Sequence, residues 1–270
     1  MAGSRVARFA GSLPGHGEGM RYSSRFWLYA PLSLFLLLAV GVMIYWQIAA
    51  GAFEKKLAAL KGHEALPGVT VDWSTVEVGG FPFRLDAAFT NLRIQGAGAH
   101  GPFAWTSEKF ALHALTYGRR QVVYEAAGNQ DVRWSWANGK VQHASFLPGT
   151  MRGSSLLDEK GLRRFDLDIV DLGSKSFSIA RLQFHMRRDP DGSDLDLMFA
   201  TDALQLEGVK LGNLQLYITL SQLDALLPLL RGETSWLQAV QHWREQGGKA
   251  KLSNGLLAGL SPVWRLSPLY

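Results

Sequence analysis

The sequence predicts a mainly β protein with minor α content. One N-terminal transmembrane helix is expected, followed by an antiparallel, curved β-sheet domain (groove, sandwich or open barrel) with two short helices near the C-terminus. Three observations carry this reading. No residue from Phe26 to Phe53 is charged. Beyond Gly68, one segment after another alternates apolar and polar residues at period two, the spacing of a strand with one dry and one wet face. Glycine-rich turn signals separate these segments at short intervals.

The uncharged run of 28 residues would extend roughly 42 Å as a helix, more than the ~30 Å hydrocarbon core of a bilayer. Leu34, Leu37 and Val40 stand in its aliphatic centre, with Trp27 and Tyr29 at one end and Tyr45 and Trp46 at the other, as interfacial aromatic belts do. The alternative is a cleaved secretory signal, with Ala49-Ala50-Gly51-Ala52 as a cutting site. Signal cores of about 7–15 residues are shorter than this run. Arg5, Arg8, Arg21 and Arg25 against Glu18 keep a basic tail (1–25) in the cytoplasm. A single-pass anchor (26–50) in the inner membrane, a juxtamembrane helix (51–66) and a periplasmic β-rich domain (67–248) would follow.

The net charge of +5 is largely a property of that tail, because residues 54–270 carry 24 basic against 22 acidic side chains. A near-neutral domain without a basic stripe gives no footprint for nucleic acid. With no cysteine, disulfides, thiolate metal sites and thiol nucleophiles are excluded. Some 215 residues nevertheless suffice to bury a core.

Taken in order, Phe53, Leu57 and Leu60 share one face of a helical continuation that Gly62 and Pro67-Gly68 end. Val69, Val71 and Trp73 open the alternation. Phe83 to Phe89, Phe165 to Ile169, Leu195 to Phe199 and Leu214 to Leu220 continue it. Between Phe177 and Met186 the apolar parity switches, which predicts a bulge or bend near Arg181. Asn138-Gly139 and Asp191-Gly192 are tight-hairpin pairs. Ser221–Asp224 opens one late helix, buried through Leu223, Leu226, Leu227 and Leu230. Thr234 or Ser235 caps a second, which carries Trp236, Leu237, Val240 and Trp243 and stops at Gly247-Gly248. No internal repeat is evident. Residues 249–270 lack alternation and read as an irregular tail.

Catalytic and metal signatures are missing. Asp189–Asp196 imitates a calcium loop, but its glycine falls fourth and no glutamate stands at twelfth, so a solvated hairpin turn is the simpler reading. The seven histidines form no metal-binding pair, and His113 among apolar neighbours reads as a hydrogen-bonded sheet residue. Trp134 and Trp136 share a strand face, either to stack on sugar or lipid or to sit under the late helices. No cofactor, metal or catalytic residue is expected.

Gly79-Gly80-Phe81-Pro82-Phe83-Arg84-Leu85 carries the one specific motif. Pro82 cannot donate to a ladder and so marks a strand entry or edge. Phe81 and Phe83 are either the aromatic lip of a ligand groove or, the favoured reading, a packed corner that fixes register. With Phe89-Thr-Asn-Leu-Arg-Ile94, Phe110–Tyr117 and the anchor, this motif resembles a family of bacterial membrane-anchored proteins called domain-of-unknown-function 2125, over the anchor to about Gly248. Similar turns occur in AsmA-like envelope proteins. That resemblance implies a single anchor, a long β-groove and a lipid cargo. The resemblance to the 2125 family implies further strands, whereas Gly255–Tyr270 shows no clear strand alternation, as a shortened end would.

Two functions are therefore expected. The first is a non-enzymatic envelope protein that shields or transfers lipid in an apolar groove formed by Phe165, Leu167, Ile169, Leu195, Leu197, Phe199, Leu214, Leu216 and Ile218. Asp166, Asp168 and Asp196 would face water on the other side. The alternative is a scaffold module that binds an envelope protein through a sheet edge. Partners are the bilayer and either a lipid or a protein, with no nucleic acid.

Overall fold

A computed structural model describes residues 24–98, 101–115, 120–136, 138–174, 177–189, 193–207, 209–258 and 264–266. Arg5, Arg8, Arg21 and the turn pair Asp191-Gly192 lie outside the described residues. The first element is one unbroken helix, α1 (Ser24–Leu60). Over Tyr29–Leu60 it is long and apolar enough to cross a membrane. The expected anchor and juxtamembrane helix are thus a single element, and it ends sooner than residue 66, because His63–Leu66 is a strand, β1. Gly62, at φ 74°, supplies the left-handed residue on which the helix closes. Its N–H donates to Val71 O at 2.8 Å, which passes the chain to the sheet. Two compact units divide after Val42, so the last five turns or so of α1, from Met43, belong with the sheet.

The other strands are β2 (Val69–Asp72), β3 (Thr75–Gly79), β4 (Arg84–Gly98), β5 (Gly101–Leu115), β6 (Gln121–Ser135), β7 (Val141–Phe146), β8 (Thr150–Asp158), β9 (Gly161–Gly173), β10 (Phe177–Arg188), β11 (Leu195–Leu206), β12 (Val209–Leu220), β13 (Ala250–Ala258) and β14 (Trp264–Leu266). They form one open antiparallel sheet in the order β1-β2-β4-β5-β6-β8-β9-β10-β11-β12-β13-β14, with β3 also on β4 and β7 also on β6. The region expected as an irregular tail therefore holds two strands. Its alternation is hidden because β13 pairs with β12 across a register slip between Tyr217 and Ile218, and a slip moves side chains to the other face.

A 3-10 turn (Leu223–Leu226), α2 (Leu227–Leu230) and α3 (Trp236–Glu245) lie between β12 and β13. Ser235 caps α3 through its hydroxyl, and Gln238 answers in a capping box. The short helix α3 turns a small residue to the core. Ala239 is buried and Trp243 half-buried, while Trp236, Leu237 and Val240 are exposed.

Two lines of bent backbone cross the sheet. In the first, Asn91 of β4 and Gly128 of β6 have φ of 52° and 73°, and β5 slips register between Ser107 and Lys109. In the second, Asp171 of β9, Ala203 of β11 and Gly212 of β12 have φ of 55°, 51° and 80°. β10 crosses this line between Ile179, opposite Leu172, and Arg181, opposite Val170. The parity switch near Arg181 has its cause here: Ile179 and Leu182, three apart, reach the same apolar cluster. Asn and Asp tolerate the left-handed conformation better than most residues. The bends also let a strand change partners. β3 lies on β4 before Asn91 and β2 after it, while β8 lies on β6 before Gly128 and β7 after it.

Register exposes a repeat within the chain. Arg84, Asp86, Asn91 and Leu92 of β4 recur at identical spacing as Arg164, Asp166, Asp171 and Leu172 of β9. His113 of β5 stands opposite Asp86 as His185 of β10 stands opposite Asp166. Gly128 and Gln130 of β6 answer to Ala203 and Gln205 of β11. Even the entry matches: Ser74 N–H donates to Thr90 O, and Gly149 N–H to Val170 O, both at 2.9 Å. Strands β3–β6 and β8–β11 are two versions of one four-strand unit.

Candidate functional site

The ladder registers align apolar side chains in rows across one face. A central row runs Ala87, Leu112, Tyr124, Gly153, Leu167, Phe184, Phe199 and Leu216, each opposite the next. Flanking rows include Phe165, Met186, Leu197 and Ile218 on one side and Ile169, Leu182, Thr201 and Leu214 on the other. Leu195 pairs with Leu220 at the end of the same face. All nine residues expected to line a groove thus share a single face. Asp166, Asp168 and Asp196 alternate onto the opposite one.

Helices cover this face in two places. The end of α1 brings Phe53, Leu57 and Leu60 onto Trp73, Ala87, Phe89 and Leu92. Leu223, Leu226, Leu230 and Ala239 of the late helices close over Met186 and Leu195, with Phe165, Phe184 and Leu197 packed alongside. Ile169 is buried in a third cluster, with Leu167 against it. Phe199, Leu214, Leu216 and Ile218 belong to none of these clusters and stay half-buried. Of the nine, Ile169 and Leu195 are buried, Phe165, Leu167 and Leu197 pack half-buried against the clusters, and the other four lie half-buried outside them among the described residues.

The opposite face carries the charges. Asp166 accepts from Arg164 Nε at 2.5 Å and bonds His185 Nδ1 at 2.6 Å. Burial raises the affinity of its carboxyl for a proton, but the bonds from His185 and Arg164 outweigh this and hold it below the usual carboxylate range. So held, Asp166 is an organiser of the strand pair and a weak base. Asp86 repeats the arrangement with Arg84 at 2.9 Å and His113 at 2.8 Å, which places His113 as a hydrogen-bonded sheet residue. Asp158 pairs with the buried Arg188. A hollow of about 670 Å³ lies beside His185, Arg187, Asp196, Met198, Tyr217 and Thr219. Trp134 and Trp136 meet edge to face, with centroids 6.5 Å apart and Trp136 exposed.

The Gly-Phe-Pro-Phe motif differs from the packed corner favoured for it. Gly80 to Phe83 form a tight turn rather than extended strand, with a cis bond between Phe81 and Pro82. Both phenylalanines are 55% exposed. Gly80 is required, since at φ 97° an added Cβ would stand 2.8 Å from Arg84 O. Arg84 N–H donates back to Gly80 O at 2.9 Å, and strand β4 starts there. Trp46 Nε1 donates to Arg84 O at 2.9 Å and meets Phe81 edge-on at 5.6 Å. The other expected anchor residues, Leu34, Leu37, Val40 and Tyr45, are exposed on α1. The side chain of Trp27 lies outside the described residues.

Sequence reasoning missed the paired Arg–Asp–His groups. The repeated Arg-x-Asp-x-x-apolar-x-Asn/Asp-Leu pattern was the available signal, but each copy is too short to stand out until register aligns the two. In comparisons with known proteins, residues 46–258 match the family model described as "Uncharacterized protein conserved in bacteria (DUF2125)". No curated protein and no solved structure matches the chain.

Proposed function

The chain belongs to the DUF2125 family of bacterial proteins, and from that premise we propose that it is a non-enzymatic, membrane-anchored envelope protein that shields or transfers lipid on its apolar sheet face. The observation that carries this reading is the quartet Phe199, Leu214, Leu216 and Ile218, half-buried and outside the buried clusters among the described residues, yet continuous by register with the apolar face. An apolar face needs a cover. Acyl chains would supply one, at roughly 0.8 kcal/mol for each CH₂ buried. A single-pass inner-membrane placement, with the N-terminus cytoplasmic and the sheet periplasmic, follows from the basic tail. It would put the face within reach of a lipid source.

Native mass spectrometry of the full chain, solubilised and stripped of loosely held lipid, tests this. The reading expects a tightly retained lipid that Leu216→Asp removes without lowering thermal stability. Retention that is absent, or equal in the variant, defeats it. A second reading has its own observation. All four residues of β1 are exposed at the edge of the sheet, so a protein partner could add a strand there.

A further inference from the structure

We propose that the turn from Gly80 to Arg84 is a second membrane contact, with Phe81 and Phe83 inserted in the interfacial layer beside α1. The inference rests on α1 being a membrane anchor.

The height of the turn along the helix is fixed by Trp46, which holds the Arg84 carbonyl at 2.9 Å and lies edge-on to Phe81. The first charged residue after the apolar run is Glu54. Trp46 stands eight positions before it, so the turn reaches about 12 Å back along the apolar part of the helix. At that height Tyr45 and Ile48 are 57% and 69% exposed. An aromatic belt of this kind marks the headgroup layer. Phe81 and Phe83 are exposed at the same level, and Leu115, opposite Arg84 in the ladder, adds a third exposed apolar group.

The second four-strand unit provides the contrast. Its corresponding turn, between β8 and β9, is Glu159-Lys160, both exposed and both charged. The aromatic turn thus occurs in the unit that the anchor touches. An apolar tip continuous with a lipid-embedded surface is suited to lipid, and the tight Gly80 turn presents it rigidly.

Because the chain has no cysteine, a single cysteine can carry an environment-sensitive fluorophore at Phe81→Cys, Phe83→Cys, Ile44→Cys or Glu159→Cys. The full chain is reconstituted in vesicles of phosphatidylethanolamine and phosphatidylglycerol, with or without lipids bearing a shallow nitroxide quencher. The proposal expects probes at 81, 83 and 44 to lose about half of their emission and the probe at 159 to keep it, since contact quenching reports only groups in the lipid layer. Quenching at 44 but not at 81 or 83 overturns the turn contact and leaves the anchor standing. No quenching at any site removes the anchor reading as well. A blue-shifted but unquenched probe at 81 or 83 means burial against protein, a second copy included, and also overturns the proposal.

Discussion

The two four-strand units share strand register, left-handed bends and an Arg–Asp–His cluster, yet they are covered differently. Over β3–β5 the end of α1 closes a core in which Trp73, Ala87, Phe89 and Leu92 are all buried. Over β9–β12 the late helices close only one end and leave Phe199 and Leu216 half-buried. Strand pattern decides which face is apolar. The elements laid on that face decide whether it becomes core or surface.

Truncating the cover should separate the two roles most strongly. Leu223, in the 3-10 turn that closes over Met186 and Leu195, is 1% exposed, so Leu223→Ala should cost about 2–5 kcal/mol in denaturant melts. Leu216→Ala, outside the clusters, should cost clearly less. Equal losses would mean that the row through Leu216 is as closed as the cluster around Leu223.

The bends offer a sharper contrast. A Cβ on Gly128 would stand 2.4 Å from Glu108 Oε2, an oxygen already occupied by the N–H of Asn129 at 2.9 Å. Gly128→Ala should therefore cost about 1–2 kcal/mol, while the converse change Ala203→Gly, which relieves a positive φ, should be neutral or slightly stabilising. Opposite signs in thermal melts are the expected result. Trp46→Phe keeps the ring contact but loses the bond to Arg84 O, for an expected loss of about 0.5–1.5 kcal/mol.

The smallest effect is pH-dependent. Asp166 is held below the ordinary carboxylate value of 3.8 by His185 and Arg164 against the opposing effect of burial. Its stabilising contribution is full above that value and fades as pH falls toward the lowered one. The stability gap between the native chain and Asp166→Asn should be smaller at pH 3 than at pH 5. A gap that widens in acid would reverse the sign.

Much of this fold is legible in the sequence. Period-two alternation gives the strands and their dry face, and the uncharged run gives the helix. The face expected as a groove is one face by register because Phe165, Leu167 and Ile169 alternate without interruption. What could not be read is long-range. Which apolar residues receive a helix depends on how the sheet curves, so Leu195 and Leu216 look alike until Leu223 is seen beside one of them. The exposed Phe81 was misjudged because aromatic residues at strand entries are ordinarily core. β13 was hidden by a register slip that no local pattern records. The repeat has too few shared residues, Arg84, Asp86 and Leu92 with Arg164, Asp166 and Leu172, to be legible before register aligns the two copies.

The central claim is that the half-buried apolar row on β11 and β12 holds lipid while the row beneath the end of α1 does not. A photoreactive phenylalanine analogue placed at Phe199, Phe110 or Asp168 of the full chain in native membranes tests it directly. Lipid adducts at 199, with none at 110 or 168, are the predicted outcome. Adducts absent at 199, or equal at all three positions, would contradict it.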